Sequence, residues 1–223
     1  MSAINVIVKS NAVHVLTDGA AYESDGTLSS IGPKVNLMPH QSCAVAFRGP
    51  QSVRPILGEL IGLAAPSFAE LKAVIVPLLQ EASRAYAPLF EGCSAGPDFE
   101  VVVAGWSDEG PAAYMVASHD RHSTPWEIIP LTGLCITPAD ETIHEKMLAT
   151  LPTDCTADDI DPATHGLAIL EIQRSHLVEN DGIDGKFCAV GGFAQLTTVT
   201  PDAVTSRIIH RWPDGIGERL AVG

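Results

Sequence analysis

Two β-branched runs close together at the start of the chain, Ile4-Asn5-Val6-Ile7-Val8-Lys9 and Ala12-Val13-His14-Val15-Leu16-Thr17-Asp18, are separated only by the turn pair Ser10-Asn11. Such a pattern reads as a β-hairpin. Ser2 then opens the first strand and Asp18 closes the second. A second hairpin follows a polar loop: Lys34-Val35-Asn36-Leu37-Met38 and Cys43-Ala44-Val45-Ala46-Phe47, turned by Pro39-His40-Gln41-Ser42. Lys34 opens its first strand. Residues at strand ends are well placed to converge on one cleft, so Ser2, Asp18 and Lys34 form a candidate site.

The chemistry gives these three types a reason to be together. After removal of Met1, the Ser2 hydroxyl is a nucleophile whose own α-amine is the base. An α-amine titrates near pH 7.7–8 when unperturbed, so it accepts a proton under conditions where a lysine amine does not. A buried Lys34 ammonium holds that amine in its neutral, basic form, and Asp18 orients the lysine and balances its charge. Each residue also has a plainer reading. Serine is common at position 2, Asp18-Gly19 is a turn signal in its own right, and Lys34 after Gly32-Pro33 fits a solvated edge.

With these residues in view, the chain resembles the proteasome β-subunit and the bacterial proteasome-like peptidases of the N-terminal-nucleophile (Ntn) hydrolase superfamily. Val13-His14-Val15-Leu16-Thr17-Asp18-Gly19-Ala20 is similar to the family's apolar strand ending in Ala-Asp-Ser/Gly, and Lys34-Val35 matches the lysine that follows. Ala46-Phe47-Arg48-Gly49 half matches the Ala-Gly-Gly turn leading into the first long helix, with Arg48 where the family usually has its oxyanion-hole glycine. The resemblance implies Ser2, Asp18 and Lys34 as catalytic residues and the backbone of Arg48 and Gly49 as oxyanion donors, a role that needs N–H groups and no particular side chain. Phe99-Glu100-Val101-Val102-Val103-Ala104-Gly105-Trp106 resembles the family's strand-plus-Gly-Trp segment. Asp181, in Asn180-Asp181-Gly182-Ile183-Asp184-Gly185, matches the acid of an Asp-x-x-Ser-Gly segment supporting the nucleophile, although Asp184 replaces the serine and both acids also suit a turn.

The order of elements agrees with this. Apolar spacing at Val53, Ile56, Leu57, Leu60 and Leu63 predicts a helix over 53–64, and the capping box Ser67-Phe68-Ala69-Glu70 opens a second through about Tyr86, with a kink or break expected at Pro77. Strands are expected near 99–105, 113–118 and 126–131. Thr137-Pro138 and Asp161-Pro162 read as starts of two further helices, and strands near 186–190, 195–200 and 205–212 close the chain. Two antiparallel sheets with a helical pair on each outer side bury both faces of such an order. The expected fold is therefore α+β, a four-layer αββα sandwich of the Ntn-hydrolase type, formed by residues 1–223 as one domain.

Composition narrows the function classes. At 223 residues, with 46% hydrophobic and 18% charged, the chain can bury a large core, and it holds neither an 18-residue apolar window nor a basic-then-apolar leader. A cytoplasmic protein is the expectation. A formal net charge of −14 opposes nucleic acid and anionic membranes as partners. Cys43, Cys93, Cys135, Cys155 and Cys188 are odd in number and widely spaced, which reads as reduced thiols and not as a disulfide framework or zinc site. His119 and His122, in His-Asp-Arg-His, have metal-compatible spacing, but their polar surroundings read as a solvated turn. Gly191-Gly192 lacks the flanking pattern of a phosphate loop. No cofactor and no metal are expected.

Two functions remain. The first is an amidohydrolase or peptidase with an N-terminal serine nucleophile, acting on a peptide or amide substrate and self-associating as the resemblance implies. The second is a catalytically inactive Ntn-fold subunit that builds a structural homo-oligomer.

Overall fold

The computed structural model describes residues 2–23, 25–91, 96–178 and 186–220. The first hairpin forms as β1 (Ile4–Val8) and β2 (Val13–Asp18), in a register that sets Ile4 opposite Thr17. The segment expected as a polar loop carries a small hairpin of its own, β3 (Ala20–Tyr22) and β4 (Leu28–Ile31). The second predicted hairpin follows as β5 (Val35–Met38) and β6 (Cys43–Arg48), joined by a 3-10 turn over Pro39–Gln41.

Helix α1 (Arg54–Ala64) and helix α2 (Phe68–Ala85) come next, then the short α3 (Ala87–Glu91). Ser67 caps α2 by accepting the Glu70 N–H, as its Ser-x-x-Glu signature requires. The helix does not break at Pro77. Phe68, Leu71, Ile75, Leu79 and Ala82 are buried along its length, and their packing outweighs the hydrogen bond that proline removes.

Four strands follow: β7 (Glu100–Ser107), β8 (Gly110–Ala117), β9 (Ile128–Leu131) and β10 (Leu134–Thr137). β10 was not foreseen, because Thr137-Pro138 reads as a helix start. Thr137 instead ends a strand paired with β1, and the cap of α4 (Glu141–Thr150) is Asp140, whose carboxylate accepts the Ile143 N–H. Helix α5 (Thr164–Ser175), β11 (Leu177–Val178), β12 (Phe187–Cys188), β13 (Phe193–Val199) and β14 (Val204–Arg211) complete the chain. Asp161 accepts the Thr164 N–H at the start of α5, so the Asp-Pro signal marks the right place.

The protein is α+β, with two five-stranded antiparallel sheets ordered β10-β1-β2-β13-β14 and β5-β6-β7-β8-β9. Strand alternation divides most of the buried apolar residues among three larger clusters. Val6, Val13, Val15 and Val199 of the first sheet pack with Ala44, Ala46, Val102, Ala104 and Met115 of the second. The alternate residues Val45, Phe47, Val101, Val103 and Val116 meet Leu57, Ile61, Leu71, Ile75 and Leu79 of α1 and α2. Ile7, Leu16 and Leu196 pack with Leu170 of α5. Gly166 lets α5 approach β2 closely, since a Cβ there would overlap Leu16 Cδ2. Among the described residues, no helix is long and apolar enough to cross a membrane.

Candidate active site

Asp18 ends β2 and is fully buried at 0% exposure. Both of its oxygens are used. Oδ1 accepts the Ala3 N–H at 3.0 Å and Lys34 Nζ at 2.5 Å, while Oδ2 accepts the Ala20 N–H at 3.0 Å and the Gly191 N–H at 3.2 Å. The register explains the first contact. With Ile4 opposite Thr17, Ala3 falls beside Asp18, and the half-buried Ser2 is one residue further on. Ala194 of β13 flanks Asp18 on the other side.

Lys34 is 3% exposed, so the solvated-edge reading of this residue does not hold. Its carbonyl accepts the Phe47 N–H at 3.1 Å, which fixes its backbone just ahead of β5. Burial pushes the Lys34 amine below the ordinary lysine range. The charge and hydrogen bond of Asp18 oppose that shift, and the Arg48 and Arg54 cations add to it. The sequence-predicted acid and lysine are thus brought together as a buried ion pair tied by a backbone bond to the residue after Ser2.

A second set of groups braces Asp18 from far along the chain. The Gly191-Gly192 turn supplies one of its donors and also accepts the Gly19 N–H through Gly191 O at 3.0 Å. Arg174 and Asp214 hold this turn in place. Their bidentate pair closes at 2.7 and 3.0 Å, Arg174 also donates to Val190 O, and Asp214 Oδ2 accepts the Gly192 N–H at 2.7 Å. A Cβ at Gly191 would lie 2.6 Å from Asp214 Oδ2, and Gly192 has φ +74. Sequence reasoning missed Arg174, Asp214 and the bracing role of Gly191. The Gly-Gly pair before β13 is the one local signal of this brace, since two adjacent glycines mark a tight turn as well as a phosphate loop.

Arg48 does not point into bulk water. Its Nη1 donates to Glu100 Oε1 at 3.1 Å, while Nε and Nη2 are buried with no partner among the described residues. Burial lowers its pKa, and the Glu100 and Asp18 carboxylates counteract this. Gly49, with φ +139, would drive a Cβ to 2.6 Å from Phe99 Cβ, so glycine is required there. The solvated-turn reading is corrected for His119, which is 7% exposed, while His122 does lie exposed in the loop; both rings bring Nε2 to Glu100 Oε1, at 3.1 and 3.0 Å. Short polar loops can fold back onto a strand end, and the buried Glu100 gives these two rings a reason to do so. Asp181 lies outside the described residues.

One cavity of about 310 Å³ lies between β5 and α1, lined by Asn36, Met38, His40, Pro55 and Glu59 among others, and none of Ser2, Asp18 or Lys34 lines it.

Comparison with solved structures decides the fold. An Anbu mutant from Hyphomicrobium sp. strain MC1 superposes with a TM-score of 0.68 over 94% of this chain and 87% of that one, at 12% identity. Anbu from Yersinia bercovieri, described as an ancestral β-subunit, gives a TM-score of 0.65 at 11% identity and the same coverage. The fold is shared with Anbu. No protein-family model matches the chain, and no curated protein does. At such identities the likeness to Anbu is one of chain path alone.

Proposed function

We propose that this protein is a proteasome-like Ntn amidohydrolase that uses Ser2 as its nucleophile once Met1 is removed. One observation carries the reading: the buried Lys34–Asp18 pair is joined through the Ala3 N–H to the residue that follows Ser2. The Anbu fold, and the packing of helices against both sheets, support the four-layer αββα arrangement that such enzymes require. The α-amine of Ser2 takes the proton from its own hydroxyl as Oγ attacks the amide carbonyl, and delivers it to the departing nitrogen. Lys34 keeps the amine unprotonated by its charge, and Asp18 holds Lys34 in place. Backbone N–H groups at Arg48 and Gly49 receive the oxyanion, and water then hydrolyses the acyl ester on Ser2. The substrate class is a peptide or other amide. Self-association follows by analogy with the β-subunit description of Anbu.

A non-catalytic subunit is the second reading, favoured by Arg48, whose cation sits within electrostatic reach of both Asp18 and Lys34 where the family has a glycine. Intact mass and hydrolysis of a panel of peptide and acyl-amide substrates separate the two. The processed protein is expected to lack one methionine, to hydrolyse part of the panel, and to be labelled at Ser2 by an acylating inhibitor. Ser2→Ala is expected to abolish both activities with the fold intact, Lys34→Met to be severe, and Arg48→Gly to be mild or activating. Equal hydrolysis by wild type and Ser2→Ala would remove Ser2 as nucleophile. A retained Met1 with no hydrolysis would establish the scaffold.

A further inference from the structure

Glu100, His119 and His122 form a cluster that the proposed hydrolysis does not use, and we infer that they bind a divalent transition-metal ion of the zinc type. Glu100 opens β7 at 2% exposure, and β8 ends just before the loop bearing the two histidines. The ligand atoms of the three residues all lie within 4.8 Å of one another. The two imidazole Nε2 atoms stand 3.1 and 3.0 Å from Glu100 Oε1. Ligands arranged tetrahedrally about zinc at ~2.0–2.1 Å are about 3.3 Å apart, so the donors already have nearly the required separation.

A second observation points to a ligand. Glu100 is almost wholly buried, yet Oε1 carries three partners, His119, His122 and Arg48, while Oε2 is buried with none among the described residues. A buried carboxylate ordinarily uses both oxygens. An ion held beside the two rings and chelated by both carboxylate oxygens gives Oε2 a partner as well as Oε1. Two imidazoles and one carboxylate select zinc, cobalt or nickel over magnesium or calcium, which prefer all-oxygen sets. Three protein ligands leave a fourth position for water, and the partly exposed His122, with 29% of its side chain accessible, gives the ion a route in.

Arg48 serves as the outer partner that orients the carboxylate, and its charge limits the affinity. Binding moves the His119 proton from Nε2 to Nδ1 and gives up the 3.3 Å contact from the Arg121 N–H, the longest in the cluster.

The test is a cobalt(II) titration of the full chain followed by visible absorption, with zinc(II) as competitor. Uptake of one ion per chain with a tetrahedral-type visible band, displaced by zinc, is expected. His122→Ala removes a partly exposed ligand with little risk to the fold, and it should weaken binding by roughly 100-fold or more. Glu100→Gln should weaken it similarly, and zinc should raise the melting temperature of wild type but not of His122→Ala. Absence of uptake, undiminished uptake by His122→Ala, or thiolate charge-transfer bands placing the ion on cysteines would each overturn the proposal.

Discussion

Two buried carboxylates, Asp18 and Glu100, distribute their hydrogen bonds in different ways. Asp18 divides four donors evenly between its oxygens, and three of them are backbone N–H groups from Ala3, Ala20 and Gly191. Glu100 takes three side-chain donors on one oxygen and none on the other. Backbone donors move only if strands move, so Asp18 is a fixed point to which Lys34 is attached. Side-chain donors can rotate away, so the Glu100 cluster can exchange one set of partners for another. The first arrangement suits a group that must hold a charge steady through a reaction, and the second suits a group that admits a ligand.

The largest test of this contrast removes the acceptors. Asp18→Ala leaves a buried lysine unpaired and three N–H groups unsatisfied, and should cost about 3–5 kcal/mol. Glu100→Gln keeps an acceptor for the histidines but removes the charge facing buried Arg48, and should cost about 1–3 kcal/mol, less than Asp18→Ala because no backbone donor loses its partner. Chemical denaturation of the two variants checks this, and a Glu100 variant as damaging as the Asp18 one would break the contrast.

A smaller effect comes from the turn that braces Asp18. Gly191→Ala places a Cβ against Asp214 Oδ2 at 2.6 Å and against Arg174 Nη1 at 2.9 Å, within a closed network. We expect a loss of about 1–3 kcal/mol. If the Asp18 cradle is as rigid as its backbone donors imply, hydrolysis should fall with it, while cobalt uptake at Glu100 should not change. Equal disturbance of both sites would show that they are mechanically one unit.

The smallest effect is a titration on β2 itself. Burial first, and then the Lys9 cation, lower the His14 pKa from 6.5 to about 4. The folded state therefore prefers the neutral ring. That contribution is complete above pH 6.5 and is lost as pH falls from 6.5 towards 4, amounting to about 1 kcal/mol after solvent screening. His14→Asn should flatten the pH dependence of stability across this window, as measured by urea midpoints at several pH values. An unchanged slope would show that His14 is not the source of the acid sensitivity.

Much of the frame was legible because it is local. β1, β2, β5 and β6 follow from β-branched runs and short turns, and α1 and α2 from apolar periodicity and the Ser67 cap. β3 and β4 were passed over because three- and four-residue strands rich in Ala and Ser leave no pattern to read. β10 was hidden by Thr137-Pro138, a pair that starts a helix when no sheet edge is offered and ends a strand when β1 offers one. The helix through Pro77 shows the same priority of packing over local preference.

For the candidate site, the sequence by itself set Ser2, Ala3 and Asp18 in register, because a two-residue turn between alternating strands leaves one pairing that keeps both apolar faces buried. It also supplied Lys34 at the start of the next hairpin. Tertiary structure alone decided that Lys34 turns inward to Asp18, that Gly191, Arg174 and Asp214 close the cradle from the far end of the chain, and that His119 and His122 fold onto Glu100. The physical reason is the same in each case. A charge buried away from water must find a partner, and which distant residue supplies it depends on where the sheets and loops meet, which no local pattern in the chain encodes.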